Sequence, residues 1–327
     1  MKEARILVTG AGGFVGRALV PVLAAHHPVR AASRQAPPGA PPGTRPVEYI
    51  GSPDLGPHAD WRRALRDVDV VVHLAAIAHV PPGNAAASAQ RLQAVNVAGT
   101  AALAGQAAAG GVRRFILVSS IKAVADHSSG EALSPAAPAA PEDAYGRAKL
   151  AGERELWRIC GGAAMEGVVL RPAMVYGPRV KGNLALLASL VARGWPLPFG
   201  AVDNRRSLLS QWHLSAIVAA AIQRREAAGQ VLHACDPEPV STPALIEAVG
   251  AGLGRRARLL RVPPVLLRAA FAAVGRRDLS QRLLGSLEVD GSRTWSVLGL
   301  TPEHTTLAGV QRAMHQSHES FLHEAPV

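Results

Sequence analysis

Residues 6–23 read "ILVTGAGGFVGRALVPVL", and this stretch decides the fold. Four residues with no polar alternation, Ile6 to Thr9, suit a strand covered on both faces. Glycines follow at 10, 13 and 16, and the chain then takes up helical periodicity. Each glycine answers a separate demand of a dinucleotide phosphate site. Gly10 allows the tight turn, Gly13 lets backbone approach a pyrophosphate, and Gly16 lets helix and strand pack closely. The N-terminus of the following helix offers N–H groups and a positive dipole to the phosphates. A tight strand–helix turn with no ligand would use the same letters. The dinucleotide reading rests on the strand before the glycines and the helix after them.

Working outward, the strand–helix alternation continues. "PVRAASR" and "VEYI" read as strands, "DWRRALRDV" as a helix and "DVVVHLAA" as a strand, followed by a long Ala-rich helix around 88–110. "RFILVSS" is a further strand, "EDAYGRAKLAGERELWRIC" a helix and "EGVVLRP" a strand. Short apolar strands alternating with helices of ten or more residues predict an α/β fold, a Rossmann-type doubly wound parallel sheet. After about 172 the pattern loosens into Pro/Gly turns and scattered helices, which predicts a smaller C-terminal substrate-binding lobe. The division is therefore a dinucleotide-binding domain over 1–171 and a second lobe over 172–327. The Pro-rich loops at 35–46 and 134–142 are short enough for surface connections.

Of the 327 residues, 48% are hydrophobic and 18% charged, which is enough apolar material for a real core. Two cysteines, Cys160 and Cys235, exclude a disulfide scaffold and a four-cysteine zinc site, and no metal is expected. They fit a reducing compartment, and the start "MKEARILVTGAGG" runs straight into the glycine turn unlike a secretory signal; the expected location is cytoplasmic. No apolar run is long enough to span a bilayer. "VPPVLLRAAFAAVGRR" at 262–277 reads as an amphipathic helix, expected to pack on the body or on another subunit rather than to lie on a membrane. The net charge of +11 comes almost wholly from scattered arginines without aromatic interleaving, so nucleic acid is not the expected partner. A basic surface also suits an anionic small molecule.

The end of the second strand bears on the nucleotide. It carries Ser33 and Arg34 and no carboxylate, which favours NADP(H) over NAD, because an arginine accommodates the extra phosphate. Asp54 in "SPDLG" is a candidate for the adenine edge. Farther on, Tyr145 and Lys149 in "YGRAK" stand four residues apart, on one face of a helix. An ammonium there would lower the phenol's pKa from about 10 toward working pH. Ser120, at the carboxyl end of the preceding strand, would hold a substrate hydroxyl or carbonyl in line.

"TGAGGFVG" at 9–16, "HLAA" at 73–76, "SS" at 119–120 and "YGRAK" at 145–149 occur in that order and on the right elements. Together they resemble the extended short-chain dehydrogenase/reductases, the NAD-dependent epimerase/dehydratase group. The resemblance continues through "RPAMVYGP" at 171–178, "KGN" at 181–183, "GAVDNRRS" at 200–207 and a closing strand and helix in "SLEVDGSRTWSVLGLTP" at 286–302. Within that group "SSIKA", "VYGPRVKGN" and "PLPFGAVDNRRSLLS" look most like bacterial 4-epimerases and 4-ketoreductases of UDP-N-acetylated hexosamines in polysaccharide biosynthesis. The resemblance implies a catalytic set of Tyr145, Lys149 and Ser120. It implies a cofactor site, for NAD or NADP, of Gly10, Gly13, Phe14, Val15, Gly16, Ser33, Arg34, Asp54, Leu55, Leu74, Ala75, Ala76 and Lys149. It also implies a substrate site of Ser120, Asn183, Arg206 and Arg282, with Arg206 on the diphosphate and Arg205 as its alternate. The expected partner is a nucleotide sugar, UDP-linked. A homodimer would form through the 88–110 and Tyr145 helices, where Ala101, Ala102, Ala104 and Ala148 permit close approach.

Some positions depart from the family pattern. "QWHL" puts His213 where an acidic residue is usual, which suggests packing or capping, and Met174 stands where many epimerases carry Asn. Ile121 and Lys122 replace the Asp–Glu of a 4,6-dehydratase, which argues against dehydration. Two classes of function remain open. One is an enzyme acting at sugar C4, as epimerase or ketoreductase. The other is a non-enzymatic dinucleotide-binding sensor on the same fold.

Overall fold

The computed structural model describes residues 3–34, 45–78, 85–180 and 182–324. Most of the Pro-rich loop at 35–46, and Lys181 of "KGN", lie outside the described residues.

β1 (Ile6–Thr9) is buried at every residue, as its unbroken apolar run requires. α1 (Phe14–Ala24) follows the glycine turn and leads to β2 (Val29–Ser33) and β3 (Glu48–Gly51). α2 (Arg62–Leu65) is only a single turn of the helix expected in "DWRRALRDV", and β4 (Val70–His73) comes next. The long Ala-rich helix is interrupted: α3 (Ala85–Leu92) passes through a π-helical stretch, Gln93–Gly99, into α4 (Thr100–Ala109). β5 (Arg114–Val118), α5 (Ala144–Gly161) and β6 (Glu166–Pro172) complete the first half. Beyond it run β7 (Met174–Tyr176), α6 (Asn183–Ala192), β8 (Leu208–Ser210), α7 (Gln211–Gln223) and β9 (Val231–Ala234). α8 (Thr242–Gly252), α9 (Pro264–Ala273), α10 (Arg277–Leu284), α11 (Ser292–Leu298) and α12 (Thr306–Glu324) close the described chain.

Seven strands form one parallel sheet in the order β3-β2-β1-β4-β5-β6-β9. This is the doubly wound Rossmann order with one added edge strand. One face buries Leu19, Leu23, Ile217 and Ile222 from α1 and α7. The other buries Trp61, Leu103, Ala107 and Leu156. A separate core, with Tyr176, Leu187, Val249 and Met314, lies in the second half of the chain. Residues past 172 thus build that core and also return β9 and α7 to the sheet layer. In place of the expected closing strand near 286–290 there are two isolated bridges, Arg206 with Leu287 and Leu133 with Val289. Among the described residues no helix is long and apolar enough to cross a membrane.

Candidate active site

The glycine turn has the geometry its letters demand. Gly10 has φ +70°, and a Cβ there would meet the Ala75 backbone nitrogen at 2.8 Å. A Cβ on Gly16 would lie 2.4 Å from the Gly10 carbonyl oxygen, so helix and strand touch backbone to backbone. α1 begins at Gly13 without a side-chain cap and without an acidic residue in its first turn. Its leading N–H groups are therefore free to face an anion, and the chain around Gly13, Phe14 and Val15 fits a dinucleotide pyrophosphate. Leu74, Ala75 and Ala76 leave β4 directly across from Gly10, and each is half-buried. Ser33 is half-buried at the end of β2, Arg34 is exposed, and past β3 Asp54 is exposed and Leu55 partly buried.

Buried polar residues that the sequence reading passed over hold this floor. Asn96, on the π-helical stretch, accepts from the Ile77 N–H and donates to the Ile77 carbonyl, both at 2.9 Å. It thereby pins the end of the "HLAA" segment. His73 lies between Thr9 Oγ1 at 2.7 Å and Thr100 Oγ1 at 3.2 Å, and burial with the nearby Lys149 charge pushes its pKa down to about 3. The wide turn brings Asn96 inward and sets its carbonyl against α5, where a Cβ on Gly152 would come within 2.5 Å. A lone asparagine in an alanine-rich run was the available signal.

α5 carries the tyrosine and the lysine. Asp143 caps it by accepting from the Gly146 N–H at 2.6 Å, and it also binds the Lys122 ammonium. Lys122 in turn pairs with Asp126 at 2.6 Å. Gly146 sits against the turn after Ser120 so closely that a Cβ would lie 2.2 Å from the Lys122 carbonyl oxygen. That approach brings Tyr145 beside Ser120, close enough for the serine hydroxyl to favour the ionised phenol. Ser120 Oγ also accepts from the Lys122 N–H at 3.2 Å. Lys149 is buried and donates to the Val118 carbonyl at 2.8 Å. Burial lowers its pKa to about 8, against the opposing pull of Glu153.

Tyr145 titrates in the opposite direction to the sequence expectation. Burial raises its pKa, the Ser120 hydrogen bond opposes the rise, and the Asp143 carboxylate adds to it. The ammonium expected to lower it is itself buried and turned onto Val118. Desolvation of the phenol is the largest influence on it.

On the substrate side, Arg206 is half-buried and donates to the Gly285 carbonyl at 3.0 Å. Burial and the nearby Arg282 guanidinium both lower its pKa, so two cations lie near one another here. Arg282 is exposed and lies close enough to influence Asp143, which ties it to the mouth of the Tyr145 site. Arg205 points elsewhere, into a two-pronged pair with Glu288 at 2.6 and 2.9 Å. Asn183 is exposed on the first turn of α6 and Met174 is exposed on β7. His213 is buried: its Nδ1 faces Asp236 at 2.7 Å, its Nε2 accepts from the Glu303 N–H at 3.0 Å, and its ring stacks on His304.

A family model, the NAD dependent epimerase/dehydratase family, matches residues 6–232. The chain belongs to that family. It is 36% identical over 326 residues to a UDP-glucose 4-epimerase of Vibrio cholerae, covering 97% of this chain and 95% of that protein. Among solved structures it resembles a UDP-glucose 4-epimerase of Thermotoga maritima with UDP-glucose, at TM-score 0.77 and 19% identity, covering 97% and 99% of the two chains. It also resembles a UDP-glucuronic acid 4-epimerase of Bacillus cereus with NAD, at TM-score 0.75 and 20% identity, covering 97% and 99%. The protein is an enzyme of the epimerase/dehydratase family, and the sensor alternative gains no support from these comparisons. The family is described as NAD dependent, and NAD is one of the two dinucleotides that the sequence admits.

Proposed function

We propose that the protein is a UDP-sugar 4-epimerase that uses tightly held NAD. The observation that carries this reading is that Tyr145 meets Ser120 while Lys149, on the same helix, is buried against the Val118 carbonyl two residues before that serine; Arg206 and Arg282, which lie near one another, support it. Gly10, Gly13, Phe14, Val15 and Gly16 would hold the pyrophosphate, with Leu74, Ala75 and Ala76 lining the floor and Ser33, Asp54 and Leu55 toward the adenosine half. Lys149 would bind the nicotinamide ribose. Bound NAD would accept the C4 hydride and return it to the opposite face of the sugar.

The protein moves the proton. Ser120 holds the C4 hydroxyl, and Tyr145 takes its proton as the C4–H bond breaks, leaving a 4-keto sugar. The same phenol returns the proton after the sugar has turned over. With its pKa raised, the Tyr145 phenolate is the stronger base and its phenol the weaker acid, and the Ser120 hydroxyl, which opposes the rise, favours the phenolate. Arg206, with Arg282 and Asn183, holds the nucleotide diphosphate while the sugar turns. The family relationship and the 36% identity to a UDP-glucose 4-epimerase support the UDP-hexose class.

We further propose that two copies pair through α4 and α5. Ala101 and Ala102 remain partly open on that face, whereas Ala104 and Ala148 are buried in their own subunit and pack internally. The expected location is the cytoplasm.

The test supplies UDP-glucose and UDP-N-acetylglucosamine separately and follows the C4 epimers by chromatography. Conversion without added cofactor, and near-stoichiometric NAD released on denaturation, are expected. Tyr145→Phe should lose about a hundredfold to ten-thousandfold in turnover while retaining its dinucleotide. An empty site together with reduction of a 4-keto sugar by added NADPH would replace the epimerase by a ketoreductase.

A further inference from the structure

The stretch from Ala248 to Arg277 contains seven arginines and no aspartate or glutamate. Arg255, Arg256, Arg258, Arg261, Arg268 and Arg276 are all exposed, and among the described residues none of them makes an ion pair. The same stretch leaves large apolar side chains in the open: Leu260 is 51% exposed, Val265 68%, Leu266 58% and Val274 68%. α9 is fixed to the body through Leu267, with Phe271 partly buried beside it. Val265, Leu266, Ala269, Ala272 and Ala273 then fall on the opposite, outward side, which is apolar along its length. The body packing expected from the sequence thus uses only the inner edge of this helix.

A neighbouring ribbon extends the patch. The Leu197 N–H donates to the Arg258 carbonyl and the Leu260 N–H to the Leu197 carbonyl, both at 2.8 Å. Trp195, two residues before Leu197, is 60% exposed, an amphipathic ring at the edge of an arginine field. Scattered surface apolar residues need no explanation, but one tryptophan and four aliphatics within a belt of unpaired guanidiniums do.

We propose that α9 and the Trp195–Leu260 ribbon form a docking surface for an anionic phospholipid bilayer. A short helix with an apolar outer face can sink to the boundary between headgroups and acyl chains. Guanidiniums at its margins meet lipid phosphates, and the absence of any carboxylate over thirty residues removes the repulsion that such a surface would otherwise exert. The patch presents almost no amides or hydroxyls that would read a partner's backbone, which favours a lipid surface over an acidic protein. It lies outside the Ser120–Tyr145–Lys149 site, so its test does not depend on which sugar nucleotide is converted.

The experiment is sedimentation of the full chain with vesicles of phosphatidylcholine alone and of phosphatidylcholine mixed with phosphatidylglycerol. Binding is expected with the mixed vesicles only, weakening as salt rises. The double variants Val265→Ser with Leu266→Ser, and Arg268→Glu with Arg276→Glu, should each lose about tenfold or more in partitioning. Both should keep wild-type turnover, which reports that they fold. No sedimentation with either vesicle, equal binding by the variants, or equal binding to uncharged vesicles overturns the proposal. A fall in molar mass by light scattering in the aliphatic variant would assign the face to a second copy, and capture of an acidic protein with no lipid binding would assign it to that partner; either also overturns it.

Discussion

Glu153 and Arg171 form a buried two-pronged ion pair: Arg171 Nε lies 3.1 Å from both carboxylate oxygens and its terminal nitrogen 2.6 Å from Oε2. The same carboxylate accepts the Ser119 hydroxyl. Ser119 lies between Val118, which receives the Lys149 ammonium, and Ser120, which meets Tyr145. One side chain therefore steadies the backbone beneath both the lysine and the serine. Glu153→Gln should cost about 3–5 kcal/mol in chemical denaturation, because it leaves the Arg171 charge buried without a counter-ion. The glutamate charge also raises the Lys149 pKa, so its loss should move Lys149 further below about 8. The alkaline limb of kcat/KM would then shift to lower pH, a change that a merely structural defect would not produce.

Gly146→Ala tests the close approach of α5 to the Ser120 turn. Alanine ordinarily gains up to about 1 kcal/mol over glycine inside a helix. Here the new Cβ meets the Lys122 carbonyl oxygen, and the helix must shift. We expect a loss of about 1–3 kcal/mol in stability and about tenfold or more in kcat as Tyr145 separates from Ser120. Gly161→Ala, at the far end of the same helix with nothing within 4 Å of the added carbon, should be neutral or stabilising.

The two neighbouring arginines should separate cleanly in kinetics. Arg206→Ala should raise KM for a UDP-sugar by roughly tenfold to a hundredfold, the loss expected for a charged hydrogen bond to the diphosphate. Arg205→Ala removes only the exposed pair with Glu288 and should leave KM close to wild type. Equal effects from both would move the diphosphate elsewhere.

Two buried histidines predict acid sensitivity. Burial lowers His73 to about 3 and His233 to about 4, both below the ordinary value of 6.5. As pH falls through 6.5 the unfolded chain binds protons that the folded chain refuses, so stability is greatest above that pH and declines as the medium turns acid. Each site should remove about 2 kcal/mol by about pH 5, before most carboxylates titrate. Urea midpoints that stay flat from neutrality to about pH 5 would contradict the neutral, buried state of these rings.

Much of the sheet was legible because its signals are local. The apolar run of β1, the glycines after it and the Tyr145–Lys149 spacing each lie within a few residues, and backbone geometry turns such spacing directly into shape. What escaped was set by distance along the chain or by a single extra residue in a turn. Nothing near Glu153 announces Arg171, and nothing near Lys122 announces Asp143, since those pairs exist only once strand and helix are packed. The π-helical stretch hides inside an alanine-rich run whose letters also suit an unbroken helix, and the inward Asn96 was the clue. The direction of the Tyr145 shift was missed for a related reason: spacing places a charge nearby, but only packing shows how far the phenol has left water.

The last strand of the sheet to be reached along the chain, β9, is an outer one that covers β6. A nascent chain halted near residue 172 would therefore present the bare hydrogen-bonding edge of β6 to its neighbours, and would lack the α7 side chains that cover one face of the sheet. A fragment ending there would leave one edge and part of one face of the sheet without cover. During synthesis the nucleotide-binding half must wait for some sixty further residues before its outermost strand has a partner, an interval in which chaperones and aggregation compete for the same edge.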